Sequence, residues 1–327
     1  MRYLILGGTQ FVGLHIAEAA LTRGHELTLF HRGQTNPDAV PYAQHVHGDR
    51  DGGLEALGEQ VFDRVIDVSG YLPRVVRASA EYLADRTQHY TLISSESVYR
   101  EIGLQDAIDE SGELARLEDE TVEEITDETY GGLKVLCERA VEDVFGRRSL
   151  VIRPGYVVGP RDHTDRFTYW VERIAAGGEV MAPSRPERLV EVVDGRDLGD
   201  WTIWMADARR PGPYNASGPE YTLSWGLLLN RIRYVTGSDC SFTWVDDAFL
   251  RANKVELPLY EPADDSGADL HFDSSRAVSE GLLFRSLAET IADTYEWSGR
   301  RGVDALATGP SRDEEAALLT AWHSSRS

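Results

Sequence analysis

The chain has 327 residues, a formal net charge of −22 and two cysteines that form no CxxC pair. With 42% hydrophobic and 27% charged residues it can bury an ordinary core, in one large α/β domain with a smaller lobe or in two modest domains. So acidic a surface repels phosphate backbones and anionic headgroups, so no nucleic-acid and no membrane partner is expected. No apolar run approaches the roughly 20 residues of a membrane span, and the N-terminus does not look like an export signal. A cytoplasmic location is therefore expected.

Short apolar runs alternate with helical patterns in the first half. The predicted strands cover residues 3–6, 26–30, 44–47, 64–68, 89–94 and 150–158. The predicted helices cover residues 11–22, 74–85 and 130–145. This alternation predicts an α/β fold, a Rossmann-type doubly wound parallel sheet covered on both faces. Ligands of such sheets bind beyond the carboxyl ends of the strands.

Proline and glycine punctuate the second half. A strand is predicted at 189–193, and helices at 224–236, 284–297 and 313–322, the last with Ser311 and Glu314 in capping-box spacing. We expect a dinucleotide-binding domain at 1–160 and a smaller C-terminal substrate lobe at 161–300, interleaved with the sheet. A tail with one helix follows at 301–327.

A glycine-containing turn lies between the first strand and the first helix. Such a turn exposes the N–H groups of the helix N-terminus to a pyrophosphate. Gln10 stands where a further glycine is usual, and its side chain could contact the phosphate. The predicted dinucleotide contacts are Gly7, Thr9, Gln10, Phe11, Val12 and Gly13.

The second strand ends without the acidic residue that usually binds the ribose of NAD. Arg32 stands there instead and could pair with a 2′-phosphate, which favours NADP(H) and leaves NAD(H) as the alternative. Asp49 and Arg50 follow the third strand, near the expected adenine. Ser69 and Gly70 follow the fourth, near the expected ribose.

Tyr130 and Lys134 are four residues apart on a predicted helix and so share one face. Ser95 ends the fifth strand. A neighbouring ammonium should lower the pKa of the Tyr130 phenol, and Ser95 should orient the substrate oxygen. This set predicts hydride transfer between a nicotinamide and a hydroxyl or carbonyl carbon.

The motifs G-G-T-x-F-V-G, S-S-x-S-V-Y and Y-x-x-x-K, with Arg153-Pro154-Gly155, resemble the short-chain dehydrogenase/reductase superfamily. The resemblance is strongest to its extended and atypical branch, the NAD-dependent epimerase/dehydratase family, and runs to about Trp297. It implies that Ser95, Tyr130 and Lys134 are catalytic, with Lys134 also a ribose ligand. It further implies that Pro154 and Val157 lie beside the nicotinamide.

The resemblance also bears on the substrate. It implies that Asp194 and Arg196 lie near it. Glu96 takes the first position of an acidic pair that eliminates water in related dehydratases, while Ser97 takes the second. Glu96 is therefore either a general acid or a surface residue that points away. Tyr71 and the loop residues Arg166 and Tyr169 complete the expected substrate contacts, although that loop could equally pack the lobe.

Three functions remain open on these grounds. The first is an NADP(H)-dependent reductase or dehydrogenase of a small polar metabolite. The second is a nucleotide-sugar-type epimerase or dehydratase that retains NAD. The third is a non-catalytic nucleotide-binding protein, regulatory or RNA-associated. No metal site is expected, and a homodimer that pairs the helices at 74–85 and 130–145 is possible.

Overall fold

The computed structural model describes residues 1–100, 107–262, 271–302 and 306–326. Their strands are β1 (Arg2–Leu6), β2 (Glu26–His31), β3 (Gln44–His47), β4 (Arg64–Asp67), β5 (Tyr90–Ile93), β6 (Ser149–Pro154), β7 (Tyr156–Val158), β8 (Glu179–Pro183), β9 (Val192–Asp194), β10 (Gly212–Ala216) and β11 (Ser241–Val245). Their α-helices are α1 (Phe11–Thr22), α2 (Pro73–Leu83), α3 (Asp127–Phe145), α4 (Arg166–Ala175), α5 (Gly195–Asp207), α6 (Trp225–Thr236), α7 (Asp247–Ala252), α8 (Ser275–Ser279), α9 (Leu287–Arg301) and α10 (Arg312–Ser325).

Seven strands form one parallel sheet in the order β10-β6-β5-β4-β1-β2-β3. Successive side chains of β1 point to opposite faces: Tyr3 and Ile5 pack with α1 and α5, while Leu4 and Leu6 pack with α2 and α3. All four are fully buried. The predicted Rossmann-type fold is therefore confirmed, because only a sheet covered by helices on both faces buries continuous apolar strands in this way.

The smaller lobe has its own core. Trp170 of α4 and Trp225 of α6 meet there with ring centroids 5.1 Å apart, and α9 and α10 contribute Ile291 and Leu319. The strand pairs β8–β11 and β7–β9 border this core. The capping box predicted at Ser311 and Glu314 starts α10 as expected.

The predicted strand at 150–158 is wrong as a single element. It is two strands, because the chain leaves the sheet at Gly155, where an added Cβ would lie 2.5 Å from Glu96 Oε2. The sheet is completed instead by β10, a short segment after a proline and a glycine that the hydrophobic pattern did not reveal. The sheet thus takes one strand from the segment between residues 161 and 300.

Within the described ranges, no helix combines the length and the apolar character that a membrane crossing requires.

Candidate functional site

A cleft of about 960 Å³ opens at the carboxyl ends of β1, β2, β4 and β5. Most residues predicted from the sequence line it together. These are Gly7, Thr9, Gln10, Phe11, Val12, Gly13, Arg32, Asp49, Arg50, Ser69, Tyr71, Ser95, Glu96, Tyr130, Lys134, Pro154, Val157 and Arg166. The lining does not include Gly70, Tyr169, Asp194 or Arg196.

The glycine turn is shaped for close approach of a ligand to the backbone. Gly7 has a φ of +103°, and a Cβ there would lie 2.7 Å from Val68 Cγ2. Gln10 is the N-cap of α1 but makes no side-chain cap hydrogen bond, and the first turn of α1 carries no acid. The first N–H groups of α1 and its positive dipole end are thus left to an anion from the cleft. These residues fit the pyrophosphate of a dinucleotide.

Arg32 is exposed at the end of β2 and forms no ion pair with any residue in the described ranges. Two linked imidazoles fix the turn that carries it. Gly33 N donates to His31 Nδ1 (3.1 Å), so His31 Nε2 donates to His45 Nδ1 (2.8 Å). Burial, together with His45 and His47, lowers the pKa of His31. In the described part of the molecule, no group of three or more His, Cys, Asp or Glu side chains is placed to bind a metal ion.

Arg50 lines the cleft, but its guanidinium is already engaged. It binds both carboxylate oxygens of the fully buried Asp67 at 2.6 and 2.7 Å and also contacts Ser69 and Ser79. Burial opposes ionisation of Asp67, yet Arg50 outweighs it and the pKa of this carboxyl is lowered. Arg50 therefore links the segment after β3 to the end of β4 in the wall of the cleft.

Ser95, Tyr130 and Lys134 come together from the end of β5 and the first turns of α3. Ser95 accepts a hydrogen bond from the Ser97 backbone N–H. The Lys134 ammonium is buried and donates to the carbonyls of Gly70 (2.9 Å) and Ile93 (2.8 Å). Gly70 thus acts on the cleft only through Lys134.

The expectation that Lys134 lowers the pKa of Tyr130 is wrong in this structure. Burial raises the pKa of the Tyr130 phenol, Tyr71 raises it further, and a hydrogen bond with Ser95 opposes the rise. Burial also lowers the pKa of Lys134, whose Nζ lies 5.5 Å from the centroid of the Tyr71 ring. The physical reason is that burial of the phenol disfavours the phenolate, while Lys134 donates to two backbone carbonyls.

Glu96 lies in the cleft, so the interpretation as a surface residue that points away is wrong. Its Oε2 accepts a hydrogen bond from Ser217 Oγ at 2.9 Å. Burial raises the pKa of the Glu96 carboxyl to about 8, and the nearby Glu191 and Glu261 add to the effect against Ser217 and Arg166. Burial likewise raises the pKa of Glu191 to about 8. At neutral pH the cleft therefore holds a carboxylic acid that can donate a proton.

Three predicted substrate residues are used elsewhere. Tyr169 is buried in the lobe core, where its ring contacts Trp170. Asp194 is buried, caps α5 through Arg196 N, and pairs with the guanidinium of Arg196 at 2.7 Å. Arg196 pairs in addition with Asp293 of α9.

Ser217 and Tyr156 are among the residues near the cleft that sequence reasoning missed. Ser217 follows β10 and is 121 positions from Glu96, so no local spacing could have linked them. Tyr156 lines the cleft at the start of β7, with the Arg166 guanidinium 5.5 Å from its ring centroid. His163 and Thr164 also line the cleft. They lie in the loop between β7 and α4, for which the sequence left open a role in substrate binding or in packing of the lobe.

The fold and the site together define a dinucleotide-binding α/β protein with a Ser–Tyr–Lys set at the carboxyl edge of its sheet. The chain belongs to the NAD dependent epimerase/dehydratase family, whose pattern it matches over residues 3–217.

Solved structures share this fold at low sequence identity. The WbmH enzyme of Bordetella bronchiseptica in complex with NAD+ is 16% identical, with a TM-score of 0.69 over 92% of this chain and 99% of that one. The UDP-glucuronic acid 4-epimerase of Bacillus cereus in complex with NAD gives the same identity, TM-score and coverage. The UDP-glucose 4-epimerase of Thermotoga maritima with UDP-glucose is 17% identical, with a TM-score of 0.66 over 92% of this chain and 99% of that one.

A sequence relative has a different description. The chloroplast stem-loop binding protein of 41 kDa b of Arabidopsis thaliana is 25% identical over 250 residues. The matched part is 69% of this chain and 61% of the relative, so the chain spans about three fifths of that protein's length.

Proposed function

We propose that this protein is a nicotinamide-dinucleotide-dependent epimerase or dehydratase that acts on a hydroxyl-rich, sugar-like substrate. The observation that carries the proposal is the pairing of two proton-transfer groups in one cleft. Tyr130 stands beside Ser95 as the usual acid–base, and Glu96 adds a carboxyl group that is protonated at neutral pH. A simple carbonyl reduction needs one proton donor, whereas loss of a hydroxyl as water needs a second. The family membership and the NAD complexes of the structural neighbours support the same direction.

The residues take distinct roles in this proposal. The Ser95 hydroxyl orients the substrate oxygen, and the Tyr130 phenol exchanges a proton with it. Lys134 is held by two carbonyls at the floor of the cleft, where it can also reach a ribose. For loss of water, Glu96, hydrogen-bonded to Ser217, donates its proton to the leaving hydroxyl as the C–O bond breaks. Its other carboxyl oxygen accepts the proton of the adjacent C–H bond, whose electron pair forms the double bond. The glycine turn, Pro154 and Val157 would hold a nicotinamide dinucleotide, which would supply the hydride acceptor.

The second candidate is an NADP(H)-exchanging reductase of a small polar metabolite. Arg32 favours it, because an exposed arginine without an ion pair in the described ranges stands where NAD-specific chains usually carry an acid. The imidazole chain from His31 to His45 holds the turn in place for such a contact. Arg32 is the observation that favours NADP(H), and with it the proposal of an exchanging reductase.

The third hypothesis, a non-catalytic nucleotide-binding or RNA-associated protein, has the name of the Arabidopsis relative in its favour. The complete Ser95, Tyr130 and Lys134 set in one cleft argues against it, as does the net charge of −22.

We further propose that the epimerase or dehydratase is cytoplasmic and forms a homodimer through α2 and α3.

Nucleotide content separates these candidates. We would denature freshly purified protein, identify any released nucleotide by chromatography, and titrate the emptied protein with NADPH and NADH. Tightly held NAD+ in a one-to-one ratio, followed by turnover of UDP-glucose or UDP-glucuronic acid, would support the epimerase or dehydratase. An empty protein that prefers NADPH would support the reductase, and binding of neither nucleotide would overturn both.

A further inference from the structure

A second cleft, of about 690 Å³, lies at the opposite, amino-terminal edge of the sheet. Its walls come from the start of β1, the residues before β4, β5 and β6, and the segment after α5. We call it the amino-edge cleft. Its charged lining consists of Arg2, Arg86, Arg147, Arg148 and Arg209 with Asp63 and Asp85. A concentration of arginines is unexpected in a chain with 55 acidic and 33 basic residues.

The negative charge of nearby helix C-termini balances only part of this positive charge. Helices α2, α3 and α5 all end at this edge, and each C-terminus carries about half a negative charge. Arg148 donates to the carbonyls of Ala84 (3.2 Å) and Thr87 (3.0 Å), and Arg86 donates to that of Gly58. With both carboxylates and all three helix ends counted, an excess of about 1.5 positive charges remains.

Three of the arginine side chains are available to a ligand. Arg2, Arg147 and Arg209 are exposed, and within the described ranges none of them makes an ion pair. Guanidinium groups match the geometry of phosphate oxygens with two parallel hydrogen bonds. The cleft therefore favours a phosphate group over an anion without oxygens placed to accept two parallel hydrogen bonds.

His89 forms a buried part of the cleft wall. It lines the cleft, is only 1% exposed, and places Nε2 3.1 Å from the carbonyl of Arg210. Nε2 must then carry the proton, which leaves Nδ1 as an acceptor. Nδ1 is buried and has no hydrogen-bond partner in the described part of the chain. Because less than 1 Å² of Nδ1 is accessible, a ligand in the cleft does not reach it, and the arginine guanidinium groups carry the binding.

We propose that the amino-edge cleft is a second ligand site, for a small molecule that carries a phosphate group. The guanidinium groups of Arg2, Arg147 and Arg209 bind the phosphate. The volume lies within the range of about 300–1,000 Å³ typical of small-molecule pockets. The site is separate from the proposed catalytic cleft, so it does not depend on the proposed function.

Calorimetric titration with glycerol 3-phosphate tests this site. The wild type is compared with an Arg147→Ala/Arg209→Ala variant and with Arg231→Ala, an exposed arginine outside both clefts. We expect saturable binding that the double variant weakens at least about tenfold and Arg231→Ala changes less than about twofold. The glycine turn could also bind phosphate, so the difference between the variants, rather than binding itself, reports on the amino-edge cleft.

Further arms separate the possible ligands. Inorganic phosphate should compete with glycerol 3-phosphate for the site, and an Arg147→Lys/Arg209→Lys variant should recover only part of the affinity. Failure of inorganic phosphate to compete would overturn the assignment of the site to a phosphate group. No binding by the wild type, binding that the double variant leaves unchanged, or binding of an RNA stem-loop alone would overturn the proposal. Unchanged NADPH titration and thermal midpoint in the double variant would show that its fold and the other cleft are intact.

Discussion

The two edges of the sheet hold clefts of similar size with opposite means of attracting an anion. At the carboxyl edge, the glycine turn and the N-terminus of α1 offer backbone N–H groups. Arg32, directly after β2, adds a positively charged side chain to that cleft. At the amino edge, α2, α3 and α5 present carbonyls, and five arginines line the cleft. The direction of the helices sets this difference.

This contrast explains where side-chain chemistry can develop. Backbone groups at the carboxyl edge can hold a phosphate, which in the proposed function leaves Ser95, Glu96 and Tyr130 for proton transfer. At the amino edge the backbone potential is negative, so side chains must first cancel it before they can attract an anion.

The largest expected effect is on turnover at the carboxyl edge. Tyr130→Phe removes the acid–base hydroxyl and should lower kcat about 10²–10⁴-fold, while the dissociation constant of the dinucleotide changes less than about threefold. Steady-state kinetics with the substrate found by screening and a nucleotide titration measure the two quantities. Tyr234→Phe, at a position 80% exposed, is the matched control. Full activity in Tyr130→Phe would contradict the proposal that this cleft carries out the chemistry.

A pH effect sharpens the assignment of Glu96. Because the pKa of this carboxyl is about 8, activity that needs its proton should fall as the pH rises through about 8. Glu96→Gln cannot donate the proton and should lower kcat about a hundredfold below that pH, with the alkaline limb lost. The exposed Glu118→Gln should retain the wild-type profile. An alkaline limb that persists in Glu96→Gln would exclude Glu96 as its source.

The same carboxyl links stability to pH. Its pKa is about 8 in the folded protein against 4.5 ordinarily, so between these values the folded chain holds a proton that the unfolded chain has lost. The free energy of unfolding should therefore fall as the pH rises from 4.5 to 8. Urea unfolding at several pH values should show a shallower fall in Glu96→Gln. Glu191 contributes in the same direction, so part of the slope remains. An unchanged slope would mean that Glu96 is ionised in the folded state.

The smallest effect concerns the choice of dinucleotide. Arg32→Ser should weaken NADPH binding about tenfold and change NADH binding less than about twofold, because only NADPH carries the 2′-phosphate. Parallel fluorescence titrations measure both affinities, and Arg231→Ser controls for the loss of one positive charge. Equal weakening of the two nucleotides would mean that Arg32 stacks on the base and does not read the phosphate.

The sequence predicts best what depends on neighbouring residues. The first helix and the third strand were predicted with their observed bounds, and the spacing of Tyr130 and Lys134 places both in the cleft. Hydrophobic periodicity and a glycine turn are local signals, so they survive without knowledge of the fold.

Long-range partners decide the features that were not predicted. Asp194 and Arg196 look like substrate residues in the chain, but Arg196 pairs with Asp293, 97 positions away. The acid state of Glu96 depends on burial and on Ser217, which reaches it from the end of β10. Such pairings exist only once the lobe has packed on the sheet.

The seventh strand has a consequence for how the protein is made. β10 pairs with β6, and Asn215 within it accepts a hydrogen bond from Tyr99 and donates to the carbonyl of Ile108. A ribosome that has made only the first 160 residues has produced six of the seven strands of the main sheet, with β6 as an open edge. Such an edge is free to pair with another chain until residue 216 emerges.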